Sequence, residues 1–211
     1  MKLKTLSVLG LAIAAASPVM AYEAGDIIGR VGAVMVAPND SSDMTLNAEL
    51  GVNDNTQLGI NATYMLTNNI GVEVLAATPF KHKISADGLG EIGTTEHLPP
   101  TVTLQYFPMP SDSALQPYAG AGINHTFFFN EKLNAKAEDL LGDDALHLSS
   151  STGLALEAGV DYNLQNGFGI NAAVWYIDID TTATVYAGGN KTKIDVTLDP
   201  WVYMLSATKK F

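Results

Sequence analysis

The chain has 211 residues, no cysteine and a formal charge of −11. That charge argues against nucleic acid, whose phosphates would be repelled, and the missing cysteine excludes thiol chemistry and cysteine–zinc sites. The length suits one domain.

Residues 1–21 read as a secretory signal. Lys2 and Lys4 precede a short apolar run over 6–16, which ends at Ser17-Pro18, and Val19-Met20-Ala21 supplies small or aliphatic residues before the cut. The run is too short to span a bilayer as a helix, and no later stretch is long enough. A mature domain over 22–211 is therefore expected, in which 22 acidic residues face nine basic ones. An exported chain without disulfides fits a closed barrel, which is held by its own ladder.

Beyond residue 21, period-two alternation and turn signals recur, and no long helical period competes. They predict strands near 27–37, 57–66, 70–78, 98–107, 117–128, 151–162, 168–180 and 194–211. Connections after the first, third, fifth and seventh hold about 19, 19, 22 and 13 residues; the others hold about 3, 9 and 5. Thr67-Asn68-Asn69 and Asn166-Gly167 supply the short turns, and the segment 132–147 has room for a short helix. An even strand count with alternating short and long connections predicts an eight-stranded antiparallel transmembrane β-barrel, with short periplasmic turns and long extracellular loops.

The alternation also assigns faces. Leu58, Ile60, Tyr64 and Leu66 oppose Asn61 and Thr63; Val102, Leu104 and Tyr106 oppose Thr101, Thr103 and Gln105. Charges share the sparser polar face, which suits a lumen surrounded by lipid, whereas a soluble barrel inverts this arrangement. Arg30, Glu73, Glu157 and Asp161 fall on that face and are expected to pair as a polar barrier, or simply to rigidify the barrel. Leu75 shares the face of Glu73, and Trp175 that of Asn171. Together they are expected to pinch an apolar vestibule, with core filling as the alternative. Phe80, Phe127, Phe128 and Phe129 are candidates for its mouth. Pro79, Pro99 and Pro100 remove backbone donors at similar height, so the seam between strands 3 and 4 is expected to be weak there.

At the C-terminus, Trp201, Tyr203, Leu205 and Phe211 lie on one face, so an amphipathic last strand ends on an aromatic residue. Lys209 shares that face near the periplasmic interface, where it can snorkel, and a bulge is expected near Asp199-Pro200. His82, His97, His125 and His147 show no metal-ligand spacing. No catalytic set, metal or cofactor is expected, although a rim histidine joined to a serine or carboxylate would revive a lipid-modifying enzyme.

Several ordered blocks resemble the outer membrane protein W family: Asn69-Ile70-Gly71-Val72-Glu73, Thr78-Pro79-Phe80-Lys81-His82, His97-Leu98-Pro99-Pro100-Thr101, Pro117-Tyr118-Ala119-Gly120-Ala121-Gly122, Trp175-Tyr176-Ile177-Asp178 and Leu198-Asp199-Pro200-Trp201. The resemblance implies a narrow barrel in a Gram-negative outer membrane that takes up small hydrophobic molecules passively. Lateral release into lipid at the weak seam would complete that route. The alternative is a structural or receptor barrel with a sealed lumen. Expected partners are outer-membrane lipid and lipopolysaccharide, small hydrophobic solutes, and the assembly machinery, for which Phe211 resembles the terminal signal.

Overall fold

Period-two alternation sends one side chain into the lumen and the next outward, so every strand builds both surfaces of a closed sheet. The computed structural model describes residues 22–39, 41–42, 50–86, 88–141, 146–187 and 190–211. The expected signal peptide over 1–21 lies outside the described residues. Eight strands form the barrel: β1 (Ile27–Ala37), β2 (Asn55–Met65), β3 (Ile70–Ala77), β4 (Thr101–Tyr106), β5 (Leu115–Leu133), β6 (Ser151–Asn163), β7 (Phe168–Ile177) and β8 (Trp201–Lys210). Each pairs antiparallel with the next, and β8 returns to β1 through pairs such as Val31 with Ala207. Phe211 continues that closure: its N–H donates to the Ile27 carbonyl at 2.9 Å. No barrel strand is left with a free edge, as a membrane requires.

The faces fall as the alternation demands. Leu58, Ile60, Val102, Leu104, Tyr106, Leu154, Leu156 and Leu205 are exposed, while Thr63, Glu73, Thr103, Gln105, Glu157 and Asp161 are buried inside. Such a continuous apolar exterior has no stable place in water; against lipid tails it is satisfied. Lys209 resolves its position by lying 4.1 Å from the centroid of the Phe168 ring and donating to the Asn166 carbonyl at 2.6 Å. The periplasmic turns are tight. Leu66 N–H donates to the Ile70 carbonyl at 2.8 Å, and Asn166 and Gly167 take positive φ angles of 60° and 72°.

The outer ends depart from the expected loops. Most of the long connections are themselves strand: the hairpin Phe80–Ala86 with Gly90–Leu98, a second hairpin Asp180–Ala187 with Asn190–Thr197, and short pieces Leu50–Val52 and Leu146–Leu148 that pair onto them. The segment 98–107 is likewise divided, because Leu98 closes the first hairpin and β4 starts at Thr101. The expected strand over 194–211 breaks at Asp199, whose φ is 32°; its carboxylate accepts from Ile179 N–H at 3.1 Å and Tyr176 Oη at 3.0 Å. A helix, α1 (Ala135–Leu141), lies within the stretch expected to hold one. The charges made these hairpins look like loops. Lys81, Lys83, Glu91 and Glu96 turn outward and pair, at 2.8 Å for Lys81–Glu96 and 2.9 Å for Lys83–Glu91, while Phe80, His82 and Ile84 turn in.

Candidate functional site

From the periplasmic end upward, the lumen is built in layers. The lowest is apolar: Tyr22, Ile28, Met65 and Phe107 are buried together, with the Tyr22 and Phe107 rings edge to face at 5.5 Å.

Above it the polar residues of seven strands, β1 to β7, meet. Arg30 grips Asp161 in a bidentate pair, Nε to Oδ1 at 2.9 Å and Nη2 to Oδ2 at 2.6 Å. Its Nη1 reaches Thr63 at 2.7 Å, Asn61 at 3.2 Å and Glu73 at 3.3 Å. Gln105 Nε2 bridges the two glutamates, at 3.0 Å to Glu73 and 2.9 Å to Glu157, and Thr103 donates to Glu157 at 2.7 Å. Gly159 makes space here: a Cβ on it would fall 2.4 Å from the Tyr118 ring. That ring lies 5.3 Å from the Arg30 guanidinium, and Asn171 Nδ2 donates to its hydroxyl at 2.9 Å. The four residues expected to pair, Arg30, Glu73, Glu157 and Asp161, lie in one hydrogen-bonded network. Arg30 meets Asp161 and Glu73 directly, and Gln105, on the inward polar face, ties Glu157 to them.

The next layer is apolar again. Leu75, Phe80, Trp175, Ile177 and Val202 are buried in one cluster, and Trp175 is 0% exposed. Leu75 and Trp175 thus belong to a packed layer, beneath the open space and not around it.

The open space lies higher, among the rim hairpins. It is a cavity of about 330 Å³ whose walls include Val36, Ile84, Phe128, Leu148, Ile179 and Val196. Of the four phenylalanines expected at a mouth, Phe128 lines it; Phe127 faces outward and Phe80 packs below. His82 and His97 also line it, stacked at 4.8 Å with 6° between planes. Sequence spacing missed this pair because the two residues sit on facing hairpin strands, diagonally offset by two residues in register. The alternation of Phe80 and His82 with Lys81 and Lys83 was the available signal.

The seam between β3 and β4 is interrupted beside this cavity. Pairing runs from Ile70–Tyr106 up to Leu75–Thr101 and resumes only at Phe80–His97. Ala76–Pro79 and Leu98–Pro100 lie between. The flanking seams continue: Thr78 N–H donates to the Leu58 carbonyl at 2.9 Å, and His125 N–H to the Pro100 carbonyl at 3.0 Å. Pro79, Pro99 and Pro100 have no N–H to offer. The outward residues around the gap, Leu58, Ile60, Ile123 and Phe127, are exposed apolar side chains, so the gap faces lipid.

No rim histidine is joined to a serine or an acid in a catalytic set among the described contacts. His82 Nδ1 meets the Asn53 carbonyl, His125 Nδ1 meets Thr152 Oγ1, and His147 stands 3.7 Å from Glu131 on the surface.

With this geometry, the family model for OmpW matches residues 23–211. The chain belongs to the OmpW family. It is 48% identical over 215 residues to outer membrane protein W of Vibrio cholerae, covering 97% of this chain and 99% of that relative. The crystal structure of the outer membrane protein OprG from Pseudomonas aeruginosa is 43% identical, with a TM-score of 0.85 over 90% of this chain and 98% of that one. A more distant relative, 26% identical over 191 residues, is the dibenzothiophene metabolism operon protein PahQ of Pseudomonas aeruginosa; it covers 86% of this chain and 87% of the relative. This OmpW-family chain is an outer-membrane β-barrel of a Gram-negative bacterium, and its exterior meets membrane lipid.

Proposed function

We propose that the barrel takes small hydrophobic solutes from outside into the rim cavity and releases them sideways into the outer membrane through the β3–β4 seam. The observation that carries this reading is the apolar cavity standing above a buried ionic layer. An apolar solute gains by leaving water for the cavity. It cannot continue straight down, because crossing would mean parting Arg30 from Asp161 in a dry lumen. The unpaired stretch of the seam is the nearest break in the wall. Phe80 stands beside it, following Pro79 and stacking on His97 at 5.3 Å, so release requires Phe80 to swing. The PahQ name supports the solute class, since dibenzothiophene is an apolar aromatic. The packed layers below the cavity also suit a sealed structural or receptor barrel, and the seam distinguishes the two readings.

Restoring the missing donors tests it. Pro99→Thr with Pro100→Val removes both prolines and restores a backbone N–H beside the gap, so the seam should pair and uptake of a hydrophobic solute into cells or proteoliposomes should slow. Stability should be equal or higher. Unchanged uptake in a variant whose seam amides are protected from exchange rules the exit out and leaves the sealed barrel.

Assembly belongs to the same proposal. Residues 1–21 would direct export, and Phe211, 74% exposed at the end of β8, would be read by the outer-membrane assembly machinery. Phe211→Asp should lower the amount of heat-modifiable barrel in the outer membrane severalfold; wild-type levels would remove that role. Lipopolysaccharide is the proposed lipid neighbour of the outer rim, where Lys81 and Lys83 are exposed.

A further inference from the structure

The cavity wall is apolar, yet two of its side chains carry buried polar atoms that nothing satisfies. His82 and His97 are 2% and 5% exposed, and the Nε2 atom of each has no hydrogen-bond partner. Other polar residues in the wall are occupied. Thr126 Oγ1 donates to Asn124 at 2.7 Å, Thr181 Oγ1 to the Ser149 carbonyl at 2.7 Å, and Lys136 Nζ to the Leu89 carbonyl at 3.0 Å. Buried polar atoms without partners are uncommon and ask for an explanation.

The chemistry of His82 is fixed by its other nitrogen. Nδ1 lies 2.5 Å from the Asn53 carbonyl, and a carbonyl only accepts, so Nδ1 carries the hydrogen. Both rings belong to the charged-rimmed hairpin above the lipid belt, flanked by the outward Lys81, Lys83 and Glu96. Burial pushes the His82 imidazole below its ordinary value, partly offset by the Asn53 carbonyl and Asp54. Burial, and then His82 itself, pushes His97 down to about 3. The His82 ring is therefore neutral, and its Nε2 is a bare acceptor. Stacking on His97, which in turn packs against Phe80 and Phe128, holds the ring in place.

We propose that His82 Nε2 is a polar anchor in the rim cavity, selecting apolar solutes that carry one neutral O–H donor, such as phenols and long-chain alcohols. The inference rests on the uptake reading above and names its preferred substrate class. The solute's hydroxyl donates to Nε2 while its apolar body fills the cavity. A pure hydrocarbon binds without satisfying the acceptor. A carboxylate brings only acceptors and a charge, which Nε2 cannot satisfy and the apolar wall penalises, so it binds worst at this anchor.

Three naphthalene probes test this on the full barrel in lipid nanodiscs, corrected against discs of lipid alone. Equilibrium fluorescence should show 1-naphthol binding about tenfold tighter than naphthalene, the gain of one buried hydrogen bond. 1-Methoxynaphthalene, which keeps the oxygen but loses the donor, should bind no tighter than naphthalene. His82→Phe should remove the preference for naphthol and leave naphthalene binding intact. Naphthol, its ether and naphthalene binding native protein alike would overturn the anchor alone, and the ether comparison needs no variant to fold. Binding of none of the probes to native protein would overturn the uptake reading and the anchor with it.

Discussion

Arg30→Met is expected to lower the stability of the barrel more than any other single change in the lumen. The guanidinium is fully buried and donates to Asp161, Thr63, Asn61 and Glu73. Methionine fills much of the same space but supplies no donor, leaving Asp161 and Glu73 as buried carboxyls without their cation, Glu73 with Glu157 close by through Gln105. Breaking a buried ion pair from one side costs about 3–5 kcal/mol. The urea midpoint of the heat-modifiability shift should fall accordingly. Ion conductance should rise as the loosened layer admits water. Adding Asp161→Leu to Arg30→Met should recover part of the loss, because an apolar replacement removes the stranded charge. An unchanged midpoint in Arg30→Met would mean that the layer is not what holds the lumen shut.

Trp175→Ala is expected to have the next largest effect, with a different signature. Trp175 is wholly buried in the layer between the cavity and the ionic network, and its indole Nε1 has no partner. Truncation loses packing and leaves space, at about 3–5 kcal/mol. That space is apolar and adjoins residues of the same cluster as Val36 and Ile179, which line the cavity. Bulkier aromatic solutes should therefore bind, while ion conductance stays at the wild-type level because Arg30 and Asp161 still close the lumen below. If stability falls but solute size range and uptake do not move, Trp175 is packing alone.

The barrel and its polar layer were legible in the sequence because period-two patterning is strong where one face meets lipid and the other a narrow lumen. A buried Arg30 or Glu73 then has few places to go except toward an opposite charge. Strands such as β2 and β4 could be read residue by residue for the same reason. Above the lipid belt that contrast disappears. Lys81 and Glu96 face water instead of hydrocarbon, so the hairpin Phe80–Ala86 with Gly90–Leu98 carries the composition of a loop while keeping the alternation of a strand. The cavity was displaced for this reason. Leu75 and Trp175 are large apolar residues on the inward faces of Glu73 and Asn171, which suggests a constriction, but strands continue above them and enclose the space higher. The His82–His97 pair depends on that hairpin register, which no local pattern specifies. The interruption of pairing beside Pro79, Pro99 and Pro100 was legible because proline acts locally: it lacks a donor wherever it stands.

The most direct measurement uses the absence of cysteine from the chain. Ala76→Cys and Pro100→Cys place one thiol on each side of the unpaired stretch, and no other disulfide can form within the chain. Solute uptake by the same protein is then compared oxidised, with the crosslink verified by mass, and after reduction. Lateral release predicts that the disulfide slows uptake of a hydrophobic solute severalfold, that reduction restores it, and that binding in the rim cavity is unaffected throughout. Equal uptake in the crosslinked and reduced forms would contradict the account.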